Sequence, residues 1–171
     1  MHKYISDFKS ELITASSGDI LWIQDVSDIA STAAGTIKKI AVRNLISSPR
    51  EIQFTLGDGT NLIVTGSIAT TRVSYDCVIT TASIVSLDGA GAPVSGDIVI
   101  DLWKDTYANW PPDDADTITG GDEPTLVSSD KSQISDMASW SVTVSAGDYI
   151  IAHVDSVATV KQVILTLDVI T

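Results

Sequence analysis

From Glu51 to the C-terminus, apolar and polar residues alternate at every second position in one short segment after another. A period of two places one residue set on each face of a strand, whereas a helix buries a stripe of period 3.6. The alternating segments are EIQFTL, NLIVTG, TTRVSY, VITTASIVSL, DIVIDLW, SWSVTVS, DYIIAHV and VKQVILTLDVI. Turn signals separate them, among them GDGTN, YD, DGAGAPVSG, AGD and VDSVA. Residue types agree: Thr, Val, Ile and Ser dominate, and glutamate occurs only as Glu11, Glu51 and Glu123. Side chains branched at Cβ suit the pleated, half-buried surface of a sheet. About eight short strands with Gly/Asp turns predict an all-β body, a β-sandwich of jelly-roll-like form. Alternation assigns its core to Ile98, Ile100, Leu102, Ile150, Val163 and Leu165.

The first fifty residues read differently, as an extended N-terminal arm (1–50) ahead of a sandwich domain (51–171). ILWIQ within SGDILWIQDVSD predicts a short strand over Asp19–Gln24, and IKKIAVRNLI is a second apolar run compatible with strand or helix. Two such runs are too little apolar mass to fold alone, so the arm is expected to dock or to oligomerise. Trp22, Lys38, Lys39 and Arg43 are its candidate interface residues. The stretch NWPPDDADTITGGDEPTLVSSDKSQISDMA, residues 109–138, reads as one long irregular loop, and loops of that size are usually functional or pinned in an assembly.

Charge limits the partners. Residues 1–50 hold six basic against five acidic side chains, and residues 51–171 hold four against seventeen, within a net charge of −12. So acidic a body repels phosphate backbones, so no nucleic-acid partner is expected. No apolar run approaches the roughly 20 residues of a membrane span, and charges interrupt any signal-peptide core in MHKYISDFKSELI, so no membrane partner is expected either. Cys77 is the lone cysteine and lies in a strand-like run, where it reads as a small buried hydrophobe.

Chemistry is sparse. The nucleophile elbow, zinc-protease, phosphate-loop and paired-cysteine motifs are all missing, and His153 reads as a structural histidine. Asp113, Asp114, Asp116, Asp122 and Glu123 offer hard oxygens at short spacing, but spacing alone fixes no cage and a solvated acidic loop is the plainer reading. No catalytic residue, metal ligand or cofactor is therefore expected, and the chain is not expected to be an enzyme. DLWKDTYANWPP, residues 101–112, continues a strand whose core face is Ile98, Ile100 and Leu102. Lys104 and Asp105 are expected to leave the sheet, and Tyr107 and Trp110 with two prolines form a rigid aromatic corner. Such a corner is usually loop packing, and Tyr107 and Trp110 are the candidate ligand contacts if it serves recognition.

GDGTNLIVTG, SGDIVIDLWKDTYANWPPDDADTIT, EPTLVSSDKSQ and WSVTVSAGDYIIAHVDSVATVKQVILTLDV together resemble a module of tailed-bacteriophage virion proteins, of the tail-fibre or minor structural type. The resemblance covers about residues 55–171. SGDILWIQDVSDIASTAAGTIKKIAVRNLI is similar to a short module that precedes such domains in phage fibre proteins. The resemblance implies a β-sandwich displayed in trimers on a virion, assembled in the host cytoplasm, and it brings no catalytic residues. Partners would be two further copies and other virion proteins, either the major capsid protein or tail and baseplate components. A capsid decoration, or cement, protein is the first expectation, because no repetitive shaft is present. A fibre or baseplate module recognising a host glycan is the second.

Overall fold

The computed structural model describes residues 20–25, 36–41 and 49–171. The chain divides into two units, Met1–Ser48 and Pro49–Thr171. Of the first unit, the described residues form a two-stranded antiparallel ribbon, β1 (Ile20–Asp25) and β2 (Thr36–Ala41). The described part of the second apolar run, up to Ala41, is thus a strand, as its β-branched residues favour.

The second unit holds β3 (Pro49–Leu56), β4 (Ile68–Arg72), β5 (Cys77–Leu87), β6 (Gly96–Asp105), β7 (Thr125–Ser129), β8 (Lys131–Ile134), β9 (Thr143–Val144), β10 (Tyr149–Ala158) and β11 (Gln162–Ile170). They make two antiparallel sheets packed face to face, a β-sandwich. One sheet runs β4-β10-β6-β7. The other runs β3-β11-β5-β8, with β9 added beside β5. From β3 to β6 each successive strand changes sheet, β6 and β7 are neighbours, and β10 and β11 return between the earliest strands. Apart from the short β9, the two sheets have four strands each, and wound in this way they are the double Greek key of a jelly roll.

Alternation decides what the sheets enclose. Ile98, Ile100, Leu102, Ile150, Val163 and Leu165 are each at most 1% exposed and belong to one continuous core. Truncating any of them would cost both transfer energy and a cavity, about 2–5 kcal/mol.

Several boundaries differ from those expected of the sequence. β3 starts at Pro49 because Pro49 and Arg50 still pair with Ile170 and Val169. NLIVTG is loop: only Ile63 reaches the core, held by its backbone N–H to Val160, while Leu62 and Val64 point outward. SWSVTVS contributes only the two-residue β9, with Trp140 buried ahead of it. VDSVA is no turn. It continues β10 through a bulge between Val154 and Ser156, where Asp155 is the extra residue. Lys104 and Asp105 stay in the sheet, paired with Ile150 and Tyr149. The stretch 109–138 is not one irregular loop, for it contains β7 and β8, which bring Leu126 into the core and hold an edge of each sheet.

Candidate functional site

At the end of β6 the chain turns through a single 3-10 turn, Tyr107–Asn109. The Asp105 carboxylate accepts from the backbone N–H of Thr106 at 2.6 Å and from Asn109 Nδ2 at 3.2 Å. The backbone N–H is the larger cause, and together these bonds hold the carboxyl below the usual range. Further on, Asp113 caps a second short turn, Asp114–Asp116: its carboxylate accepts from Ala115 N, while Asp116 accepts from Asp113 N. Those two carboxylates of the acidic stretch therefore serve local backbone. Among the described residues no group of three or more His, Cys, Asp or Glu side chains is placed to hold a metal ion.

Tyr107 and Trp110 each lie against a third ring that sequence reasoning missed. Tyr149 lies opposite Asp105 in the β6–β10 register, and its ring centroid is 4.9 Å from Trp110 and 6.1 Å from Tyr107. Tyr107 is 75% exposed and Trp110 44%, so the cluster is a surface feature with Tyr149 as its half-buried base. Only the strand pairing could have revealed Tyr149, because it follows Trp110 by almost forty residues.

Further back along β6 lies a buried polar knot. Asp101, 4% exposed, points away from the core and is covered by segment 117–119. Its carboxylate accepts from Leu102 N, Trp103 Nε1, Thr117 Oγ1 and Thr119 Oγ1, each at 2.7 Å. Ile118 N donates to the Leu102 carbonyl and Thr117 bridges to Trp103, so the segment runs alongside the last part of β6, where β7 has ended. The indole so fixed stacks on His153, with centroids 4.2 Å apart and planes 20° apart. His153 Nδ1 is 2.7 Å from Asp155 Oδ1. Carboxylate, indole and imidazole are thereby locked by one another, the geometry of a structural brace. Its residues were legible singly, but the hydroxyls of Thr117 and Thr119 carried no signal that they would close over Asp101.

Cys77 is 4% exposed, and burial first, then the charges of Asp76 and Asp148, push its thiol pKa up. A raised pKa leaves little thiolate at neutral pH, so it behaves as a core side chain.

In the N-terminal unit Trp22 lies opposite Lys39, and Ile23 opposite Lys38, in the β1–β2 register. Arg43 lies outside the described residues. Among the described residues no helix is long and apolar enough to cross a membrane. No protein-family model matches the chain, and no curated protein matches it.

Proposed function

We propose that this chain is a structural protein of a bacteriophage virion surface, in the first place a trimeric capsid decoration protein held to the shell through residues 1–48. The observation that carries this is the division of the chain into two units of different character. Residues 1–48 hold five basic and five acidic side chains, whereas residues 49–171 hold five basic against seventeen acidic ones. A charge-balanced unit suits attachment, and an acidic body suits an outer surface that must stay soluble and avoid the packaged nucleic acid. Jelly rolls serve as viral capsid domains and as lectins, and one fold hosts many functions, so the virion assignment rests on the sequence resemblance over residues 55–171. The chain turns over no substrate and takes no cofactor in this role. Degradation of a capsular polysaccharide by the purified protein, abolished by one carboxylate substitution, would overturn that.

Counting copies per virion by quantitative mass spectrometry tests the assignment. Copies matching the number of shell sites support decoration, and the few copies that a tail or baseplate accommodates contradict it. The exposed rings of Tyr107 and Trp110 on Tyr149 favour one second function, recognition of a host glycan by a fibre or baseplate module, since saccharides bind by stacking on such rings. Under that function Trp110→Ala abolishes adsorption to host cells. Under decoration it leaves infection unchanged.

A further inference from the structure

The outward face of sheet β3-β11-β5-β8 differs from the rest of the body in charge. Its strands, with β9, carry only two of the seventeen acidic side chains that follow Arg50, namely Glu51 and Asp168. These two lie side by side at one end of the face. Lys131, opposite Val85 on β8, occupies the diagonal corner. From strand spacing and rise, Lys131 and Glu51 are roughly 20 Å apart, so they cannot pair within one copy. Between the corners the outward residues are Thr, Ser, Gln, Val and Ile, with Val85 37% exposed, and Val78 and Ile170, 38% and 44% exposed, lie just beyond the acidic pair.

Taking the trimer of the proposed function as its premise, we infer that this face is the contact between copies of the chain. Bodies this acidic repel one another, so copies must meet where acid is scarcest, and this face meets that requirement. Its charges are also self-complementary. In a closed three-fold ring each contact is head-to-tail and joins two different edges of the same surface. The Lys131 corner of one copy then meets the Glu51 and Asp168 corner of the next, which fixes the register of apolar contacts around Val85.

Sedimentation equilibrium of the full-length chain tests this, with thermal unfolding as a check that each variant is folded. Val85→Asp, which sets an acid beside Lys131 and against the acidic corner of the next copy, is expected to raise the trimer dissociation constant by about a hundredfold, while Val127→Asp, on β7 of the other sheet and 74% exposed in the native chain, leaves it unchanged. Lys131→Glu is expected to weaken the trimer about tenfold, and adding Glu51→Lys is expected to restore it. A wild-type chain that is monomeric at high concentration overturns the trimer itself. A wild-type trimer that survives Val85→Asp, or dissociates equally with Val127→Asp, leaves the trimer standing and overturns this face as its contact. Survival of the trimer together with new protease sensitivity of residues 1–48 would show instead that the chain's own N-terminal unit covers the face.

Discussion

Asp101 is the residue that ties Trp103 to the segment 117–119. Four donors converge on its carboxylate; without the side chain the two threonine hydroxyls keep only each other, 3.1 Å apart, while Leu102 N and Trp103 Nε1 lose the acceptor they have here. Losing charge-assisted bonds at a buried site costs more than losing neutral ones, so Asp101→Ala is expected to cost about 3 kcal/mol in urea unfolding. Trp103 fluorescence should change in the same variant, since its indole N–H loses its acceptor. A loss below about 1 kcal/mol would show that water can take the place of the carboxylate. Gly120 makes a second residue-scale case. Its φ is +62°, and a Cβ there would run into the Ser139 carbonyl oxygen. Gly120→Ala is therefore expected to destabilise by about 2 kcal/mol or more, read as a lower urea midpoint.

At the scale of elements, the turns tie stability to acid. In GDGTN the Asp58 carboxylate accepts from Thr60 N, Asn61 N and Asn61 Nδ2, all within 2.9 Å. These bonds, that from the Asn61 backbone first, lower its pKa to about 2 from 3.8. Asp88 and Asp105 are lowered in the same way, chiefly by the backbone N–H groups of Ala92 and Thr106. Because folding lowers these pKa values, the unfolded chain takes up protons first. The stabilisation is complete above about pH 4 and drains away as pH falls towards 2. Urea midpoints across that window should fall with acidity, and Asp58→Asn should flatten the fall. A midpoint that is steady from about pH 5 to 2 would contradict this. Strand character itself was legible wherever alternation was sustained, as in β6 and β11. It was not legible in β7 and β8, whose residues include only Leu126 among the fully buried. Edge strands pack little side chain into the core, so composition alone makes them look like loop.

For the whole molecule, net charge and the shared fold act against each other. The proposed trimer, of chains at −12 each, would have to overcome long-range repulsion, so its association should tighten as salt rises from about 0.05 to 0.5 M, where the screening length shrinks several-fold. Association that weakens steadily with salt would point to contacts made mainly by ion pairs. Deleting residues 1–48 should leave a folded jelly roll, because among the described residues both sheets and the core between them belong to Pro49–Thr171. That truncated chain is expected to be missing from virions, as mass spectrometry of purified particles would show. Full occupancy by the truncated chain would sink the attachment role.

What the sequence by itself determined is the face each residue takes within a strand. Ile98, Ile100 and Leu102 are core and Trp103 is not, because a period of two leaves no other choice once a strand forms. The acidic body and its lone, buried cysteine were equally plain. Only the tertiary structure decided which strands are neighbours. That pairing sets Tyr149 under Trp110, His153 on Trp103, and two threonines over Asp101. It also gathers the residues of four distant strands into one face almost free of acid. Such neighbours are chosen by how two twisted sheets close on a common core, a long-range condition that no local pattern records.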